Sequence, residues 1–254
     1  MNKIRLFAWS SSAVYALLVS LFTQLAHAEP ITIAVEDKDW APYYVWVDGE
    51  PSGPCPETAA GAIRHMGEEV EFVRVPWVRV LLLVEKKRVD AGLCGTHNSE
   101  RAAYSYYPDE PLLTYDATLF VRADSPLQTS EIAGLTGKSF GSVKGYSFGD
   151  VDKALEAGGM KRREVNNRDA LLQQLISGKL DTVLDSVLPM AADGRKLGIQ
   201  DQIRPLLPSL SETPGYLFFS QKPGHEELAS RFSAALREFK ETKDYSDIRA
   251  RYGF

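Results

Sequence analysis

The sequence has little that would support membrane, nucleic-acid or metal chemistry. Past residue 22 no long apolar run recurs, so no second membrane-crossing segment is expected. There is no basic excess: 29 Lys and Arg stand against 34 Asp and Glu, a net charge of −5. Nucleic acid and anionic membrane surfaces call for a basic face, which excludes both as partners. Only two cysteines and four histidines are present, in no metal-ligand spacing, so neither a metal nor a cofactor is expected. There is no His-Glu-x-x-His helix and no Gly-x-x-x-x-Gly-Lys-Ser/Thr phosphate loop. Internal repeats and low-complexity tails are absent as well.

What is there begins with an address. Lys3 and Arg5 give a positive start, residues 6–22 an apolar run, and Ala26-His27-Ala28 a small-residue cleavage site. Residues 1–28 are therefore expected to be a leader removed on export. Losing Lys3 and Arg5 takes the charge from −5 to −7. No cysteine follows the cleavage site directly, which argues against a lipid anchor. The rest is long enough for two lobes of ordinary size. In an oxidising compartment the pair Cys55 and Cys94 suggests a disulfide; two free buried thiols are the alternative.

The chain is organised around residues 89–112. Ala91-Gly92-Leu93-Cys94 reads as a buried strand that stops at the turn Gly95-Thr96. A polar loop follows, then a short helix with Ser99 as N-cap. Ligands of open α/β sheets bind at the carboxyl ends of strands, where this loop falls. Arg101 lies in it, and a guanidinium is shaped to grip a carboxylate through two parallel hydrogen bonds. The alternative is a surface arginine paired with Glu100 or Asp109.

Elsewhere, alternating β-branched residues make 31–35 the first strand, followed by a charged run and the cluster Trp40-Ala41-Pro42-Tyr43-Tyr44. Proline keeps this cluster in a loop, where Trp40 and Tyr43 either stack on a ligand or pack on a neighbouring helix. Asp48-Gly49 is a hairpin turn. Residues 56–67 form a helix with Pro56 at its first position. A strand at 70–75 leads to a helix over 77–87, with Val80, Leu81 and Val84 on its core face. Residues 117–122 leave the first lobe and 214–219 return to it. Between them lie a strand at 139–143, a glycine turn at 145–149, a helix at 150–157, a helix at 168–177 capped by Asn167, and a strand at 180–186. Helices over 226–240 and 245–252 close the chain.

The strand, Gly95-Thr96 turn, Glu100-Arg101 and the run Tyr106-Tyr107-Pro108-Asp109-Glu110-Pro111-Leu112 together resemble the periplasmic solute-binding proteins of the polar amino-acid type. These are the bacterial extracellular family 3 proteins associated with ABC transporters, and the resemblance runs over 31–254. It implies an α/β fold of two lobes, each a mixed sheet flanked by helices, joined by two hinge strands. The implied division is 29–122 with 214–254 for lobe 1 and 123–213 for lobe 2.

It also implies roles. Arg101 would grip an α-carboxylate, with Gly95 and Thr96 adding backbone and hydroxyl contacts. Trp40 would stack on the ligand and Asp37 lie at the mouth; a subset of the family directs Trp77 and Arg79 at the cleft. The turn Gly145-Tyr146-Ser147 would hold the ligand from the second lobe. Asp185 is the candidate for an α-ammonium, although it falls one residue short of the family's spacing and Ser186 takes that place. Gly53-Pro54-Cys55-Pro56-Glu57-Thr58 departs from the family's usual block.

The implied function is capture of a small polar ligand, an amino acid or related carboxylate, by a monomeric periplasmic protein that hands it to a membrane permease. The alternatives are a sensing subunit for a membrane receptor and an enzyme on the same fold, such as a cyclohexadienyl dehydratase. Catalysis is not expected, because His97 is the only histidine near the cleft and no acid–base pair can be assigned.

Overall fold

The computed structural model describes residues 29–253, so the leader assigned to 1–28 lies outside the described residues. One sheet runs through the molecule in the order β4-β1-β5-β12-β7-β10-β8-β9. In its first half, β1 (Ile31–Glu36) lies parallel to β4 (Val70–Val75) and β5 (Ala91–Thr96). In its second half, β10 (Thr182–Ser186) and β9 (Lys161–Val165) flank β8 (Ser139–Val143), again parallel. The halves meet at two long antiparallel strands, β7 (Leu113–Arg122) and β12 (Ser211–Ser220), paired from Leu113–Gly215 to Ala117–Ser211. Both strands extend further than the sequence reading gave them, because each is held by the other as well as by its own half.

Helices cover both halves. Helix α1 (Pro54–His65) packs Ala59, Ala62 and Ile63 against Phe232, Leu236 and Phe239 of α7 (His225–Lys240) and the β1 side chains. Helix α2 (Trp77–Glu85) buries Val80 and Val84 on the other face. In the second half Leu171, Leu172 and Leu175 of α5 (Arg168–Ile176) meet Phe120, Val183 and Met190. Asn167 caps α5 through its side chain, which accepts from the Ala170 amide at 2.9 Å. The remaining helices are α3 (Ser99–Ala102), α4 (Asp150–Ala157), α6 (Val187–Lys196) and α8 (Lys243–Tyr252). No described helix is long and apolar enough to cross a membrane.

Local chemistry accounts for several details. Asp48 and Gly49 both have positive φ (51° and 89°), the hairpin turn that matches strand twist between β2 (Val45–Val47) and β3 (Glu50–Ser52). Helix α1 begins at Pro54, earlier than expected, because the Gly53 amide donates to the Glu57 carboxylate at 3.1 Å across the first turn. Strand β5 does not stop at Gly95; Gly95 and Thr96 pair with Tyr216 and Gly215 of β12. Its small residues have a reason: a Cβ on Gly92 or Gly95 would lie 2.3 or 2.4 Å from the Phe218 ring. Asn98, rather than Ser99, caps α3 by accepting from the Arg101 amide at 2.8 Å.

Cys55 and Cys94 are disulfide-bonded, with Cα atoms 6.5 Å apart and a sequence separation of 39. The bond ties the first turn of α1 to β5.

Candidate ligand-binding site

The carboxyl ends of β1, β5, β8 and β10 converge on a cavity between the two halves, where open α/β sheets take their ligands. It is narrow, about 40 Å³, room for about three waters. Its walls are largely aromatic: Trp40, Tyr44 and Trp77 from the first half, Tyr115 from β7, and Tyr146 and Phe148 from the second.

Arg101 reaches this cavity from α3 and is only 3% exposed. Its Nη1 donates to the Thr96 carbonyl at 2.8 Å and its Nη2 to the Gly145 carbonyl at 2.7 Å. The guanidinium lies 5.3 Å from the Trp77 ring centre. Trp77 Nε1 donates to the same Gly145 oxygen at 2.8 Å. Among the described residues no carboxylate lies within ion-pair distance of Arg101, so this buried cation has dipoles around it but no counter-charge. An arginine paired with Glu100 or Asp109 on the surface, the alternative reading, is not what the fold contains.

The turn after β8 closes from the other side. Gly145 has φ +80°, and a Cβ there would lie 3.3 Å from the Trp77 ring, so glycine lets indole and turn meet. Part of this turn is already engaged: Phe148 N–H donates to Asp152 Oδ2 at 2.6 Å, and the Ser147 hydroxyl to the same oxygen at 3.2 Å. Thus Asp152, in the first turn of α4, occupies the positive helix end.

At the deep end, Glu36 finishes β1. Its Oε2 accepts from the Tyr146 hydroxyl at 2.7 Å, with the Tyr44 hydroxyl 3.5 Å away. Burial pushes the Glu36 carboxyl up to about 7, more than the Tyr146 bond and the Arg168 charge hold it down. Asp185 sits behind the cavity wall, fully buried. Its Oδ1 accepts from the Ser186 amide at 2.7 Å, and its Oδ2 lies 3.9 Å from Arg168 Nε. Arg168 is bonded more closely to Asp193, at 2.8 Å. Burial raises Asp185 to about 6 against the pull of Arg168. The Thr96 and Tyr115 hydroxyls bond at 2.5 Å, and burial raises Tyr115 to about 12.

Of the residues expected at the site, Trp40, Trp77, Thr96, Arg101, Tyr146 and Ser147 line the cavity. Gly145 contributes its carbonyl. Tyr43 packs against Trp40, ring centres 4.5 Å apart and planes tilted by 42°. Asp37 lies on a separate opening with Arg74, which donates to its carbonyl at 2.8 Å. Arg79 points outward and is exposed, Gly95 lies under Phe218, and Asp185 faces Arg168. Cys94 and Ser186 also line it, the latter in the place the resemblance gives to an acidic residue; Glu36, Tyr44, Leu93, Tyr115 and Phe148 complete the lining and were not foreseen. Glu36 opens the charged run after residue 35, and its pairing with Val75 makes it the end of β1.

Nucleophile chemistry finds little support. The segments 137–141 and 145–149 both read Gly-x-Ser-x-Gly, but the Ser139 hydroxyl bonds Asp181 and that of Ser147 bonds Asp152, with no histidine as partner. Ser220, His225 and Asp90 do fall in a row, with His225 Nε2 3.4 Å from Asp90. Yet Nδ1 lies nearer the Ser220 carbonyl (3.0 Å) than its hydroxyl (3.3 Å), and Ser220 is fully buried. His97 packs on Tyr107, outside the cavity lining. Among the described residues no group of three or more His, Cys, Asp or Glu is placed to hold a metal.

A mixed sheet in two halves, joined by two strands and enclosing an aromatic, arginine-bearing cavity between them, defines a two-lobe binding protein of the periplasmic-binding-protein fold. Residues 31–254 match the family model of bacterial extracellular solute-binding proteins, family 3, and the chain belongs to that family. Solved structures agree on the fold. A histidine kinase sensor domain with similarity to periplasmic binding proteins has a TM-score of 0.74 at 21% identity, covering 89% of this chain and 96% of that one. An ancestral arginine-binding protein bound to arginine has 0.72 at 18%, covering 89% and 99%. The arginine-, lysine-, histidine-binding protein ArtJ from Geobacillus stearothermophilus has 0.71 at 18%, covering 88% and 95%. At these identities the likeness shows the fold. Comparison with curated proteins finds no match.

Proposed function

We propose that this protein is a periplasmic solute-binding protein that captures a small polar ligand, an amino acid or related carboxylate, for delivery to an ABC transporter. Lobe 1 (29–122 and 214–254) and lobe 2 (123–213) would close on the ligand about β7 and β12. The observation that carries this reading is Arg101: a buried guanidinium in the inter-lobe cavity with no carboxylate of its own. A desolvated cation without a counter-charge is costly, and an incoming carboxylate relieves that cost. The solved relatives whose descriptions name arginine, lysine or histidine as ligands are consistent with this class.

A second reading, a ligand-sensing subunit for a membrane receptor, is favoured by the likeness to a histidine kinase sensor domain. Both readings require the same capture step. A thermal-shift screen of amino acids and small carboxylates tests it, because a ligand that binds only the folded state raises the melting temperature by mass action. No shift with any carboxylate at millimolar concentration removes the reading. Genomic neighbours then separate the two: permease and ATPase genes indicate transport, a kinase gene sensing.

A further inference from the structure

Strand β5 carries one residue too many where it passes the cavity. Gly95 pairs with Tyr216 of β12 and Gly92 with Phe218, so Leu93 and Cys94 together face the single residue Leu217. This is a β-bulge, and bulges beside binding sites re-aim side chains. In a regular strand Leu93 and Cys94 would point to opposite faces; here both line the cavity. The bulge is held in an unfavourable conformation. Among the described residues, three besides glycine have positive φ. Asp48 sits in a hairpin and Lys87 directly after the end of α2, where left-handed backbone is ordinary. Cys94, at φ 51°, is the one inside a strand. L side chains disfavour this region, and a residue kept there needs surroundings that over-determine it.

The disulfide supplies those surroundings. Its other half, Cys55, is fully buried in the first turn of α1. That turn is seated on the loop that carries Trp40 and Tyr44. The Cys55 amide donates to the Tyr43 carbonyl at 3.1 Å, and a Cβ on Gly53 would lie 2.5 Å from the same oxygen. Two residues beyond Cys94, the Thr96 carbonyl accepts from Arg101 Nη1 at 2.8 Å and from the Tyr107 hydroxyl at 3.1 Å. The Thr96 hydroxyl bonds that of Tyr115. One covalent link therefore joins the aromatic wall at Trp40 and Tyr44 to the strand end that seats the Arg101 guanidinium.

We propose that the Cys55–Cys94 disulfide is a positioning element of the ligand site: it holds the bulge at Leu93 and Cys94, and through it the Thr96 seat of Arg101, so that reduction weakens capture in a protein that stays folded. This rests on the capture function proposed above and adds a redox dependence to it. The reduction balances with dithiothreitol as reductant. The reagent gives up two electrons and two protons and closes to its cyclic disulfide, while the Sγ–Sγ bond breaks to two thiols. Cys94, once released, relaxes toward negative φ, and the pleat then turns one of Leu93 and Cys94 away from the cavity. The Thr96 carbonyl shifts with them and Arg101 loses its seat.

The test compares the oxidised protein, the same protein reduced with dithiothreitol, and two double variants, all well below their melting midpoints. Cys55→Ala with Cys94→Ala removes the bond and keeps a Cβ in left-handed backbone. Cys55→Ala with Cys94→Gly removes the bond and the Cβ, so the bulge forms without strain. Calorimetric titration with L-alanine, L-phenylalanine, L-arginine and L-lactate reads affinity, and hydrogen exchange without any ligand reads the backbone. The reduced protein and the alanine variant should bind the best probe about tenfold weaker or more and lose amide protection over 93–101. The glycine variant should recover most of both. A cross-link that only stabilises the lobe predicts the opposite order, since glycine inside a strand is more destabilising than alanine. Reduced protein that binds and exchanges like the oxidised form, or that unfolds outright, overturns the positioning role and leaves capture standing. So does a glycine variant no better than the alanine one. If a variant does not fold, the oxidised and reduced parent decide the matter. If no probe binds the oxidised protein, the capture reading fails, and the exchange pattern over 93–101 decides the role of the disulfide.

Discussion

Arg101 and Trp77 converge on a single oxygen. The guanidinium Nη2 and the indole Nε1 donate to the Gly145 carbonyl at 2.7 and 2.8 Å, from two different helices of one lobe to one turn of the other. On the proposed function, the guanidinium that would receive a carboxylate also makes a contact between the two halves, so ligand capture would bias closure.

Replacing Arg101 tests the carboxylate role. Arg101→Ala should weaken binding of the best ligand by about 2–5 kcal/mol, because the ligand's charge loses its partner. Arg101→Lys should recover only part, since an ammonium lacks the planar fork. Calorimetry on the three proteins measures it. Affinity unchanged in Arg101→Ala would remove the assignment.

Trp77→Phe keeps an aromatic ring and deletes one donor to Gly145. Losing a single hydrogen bond of this kind costs about 0.5–1.5 kcal/mol, so affinity should fall by about tenfold at most. Small-angle scattering should show a larger open fraction. A variant that binds like the parent and scatters like it shows the indole N–H to be irrelevant to closure.

Reduction should loosen the first lobe. The disulfide spans 39 residues, and closing such a loop stabilises by about 4 kcal/mol in the chain-entropy model. Thiol labelling of unreduced, unfolded protein should find no free sulfhydryl. Reducing agent should lower the denaturation midpoint; two labelled thiols without reductant would end the idea.

Stability should depend on pH through two raised carboxyls. Glu36 goes from 4.5 to about 7 and Asp185 from 3.8 to about 6 on burial. Between those values the folded protein holds more protons than the unfolded chain, so stability falls as pH rises from about 4 to about 7 and is flat above. The Glu36 part amounts to ~3 kcal/mol at most. Glu36→Gln should flatten the upper half of this slope. Urea denaturation at several pH values reads it, and a parent protein whose stability rises from pH 5 to 7 contradicts the sign.

Much of the fold could be read locally. The hairpin at Asp48-Gly49, the Asn167 cap, strands 70–75 and 139–143 and helix 150–157 each follow from turn chemistry, capping or β-branched runs that act over a few residues. The two cysteines suggested a disulfide, but only the fold, which brings their Cα atoms to 6.5 Å, decides between a bond and two free thiols. Where the reading erred, the cause was pairing at a distance. Gly95 and Thr96 look like a turn until β12 lies beside them, and Glu36 opens the charged run after residue 35 until pairing with β4 makes it the end of β1.

The site divides the same way. Arg101, Trp40, Trp77, Thr96, Tyr146 and Ser147 were accessible from the sequence because motif and loop position select them. Tyr115 and Phe148 were not, and the choice between Asp185 and Ser186 was not, since direction depends on strand register and on how the two halves face each other.

The sequence by itself determined the class of fold and singled out Arg101 and the two cysteines, all of which rest on residue types and short spacings. The tertiary structure decided which carboxyl reaches the cavity. Asp185 and Glu36 both stand at the ends of strands, and nothing local tells them apart. Packing α5 against β10 gave Asp185 to Arg168, whereas closing the Tyr146 turn over β1 left one oxygen of Glu36 open to the cavity. Burial then sets the charge each carries, and burial is a property of the assembled molecule.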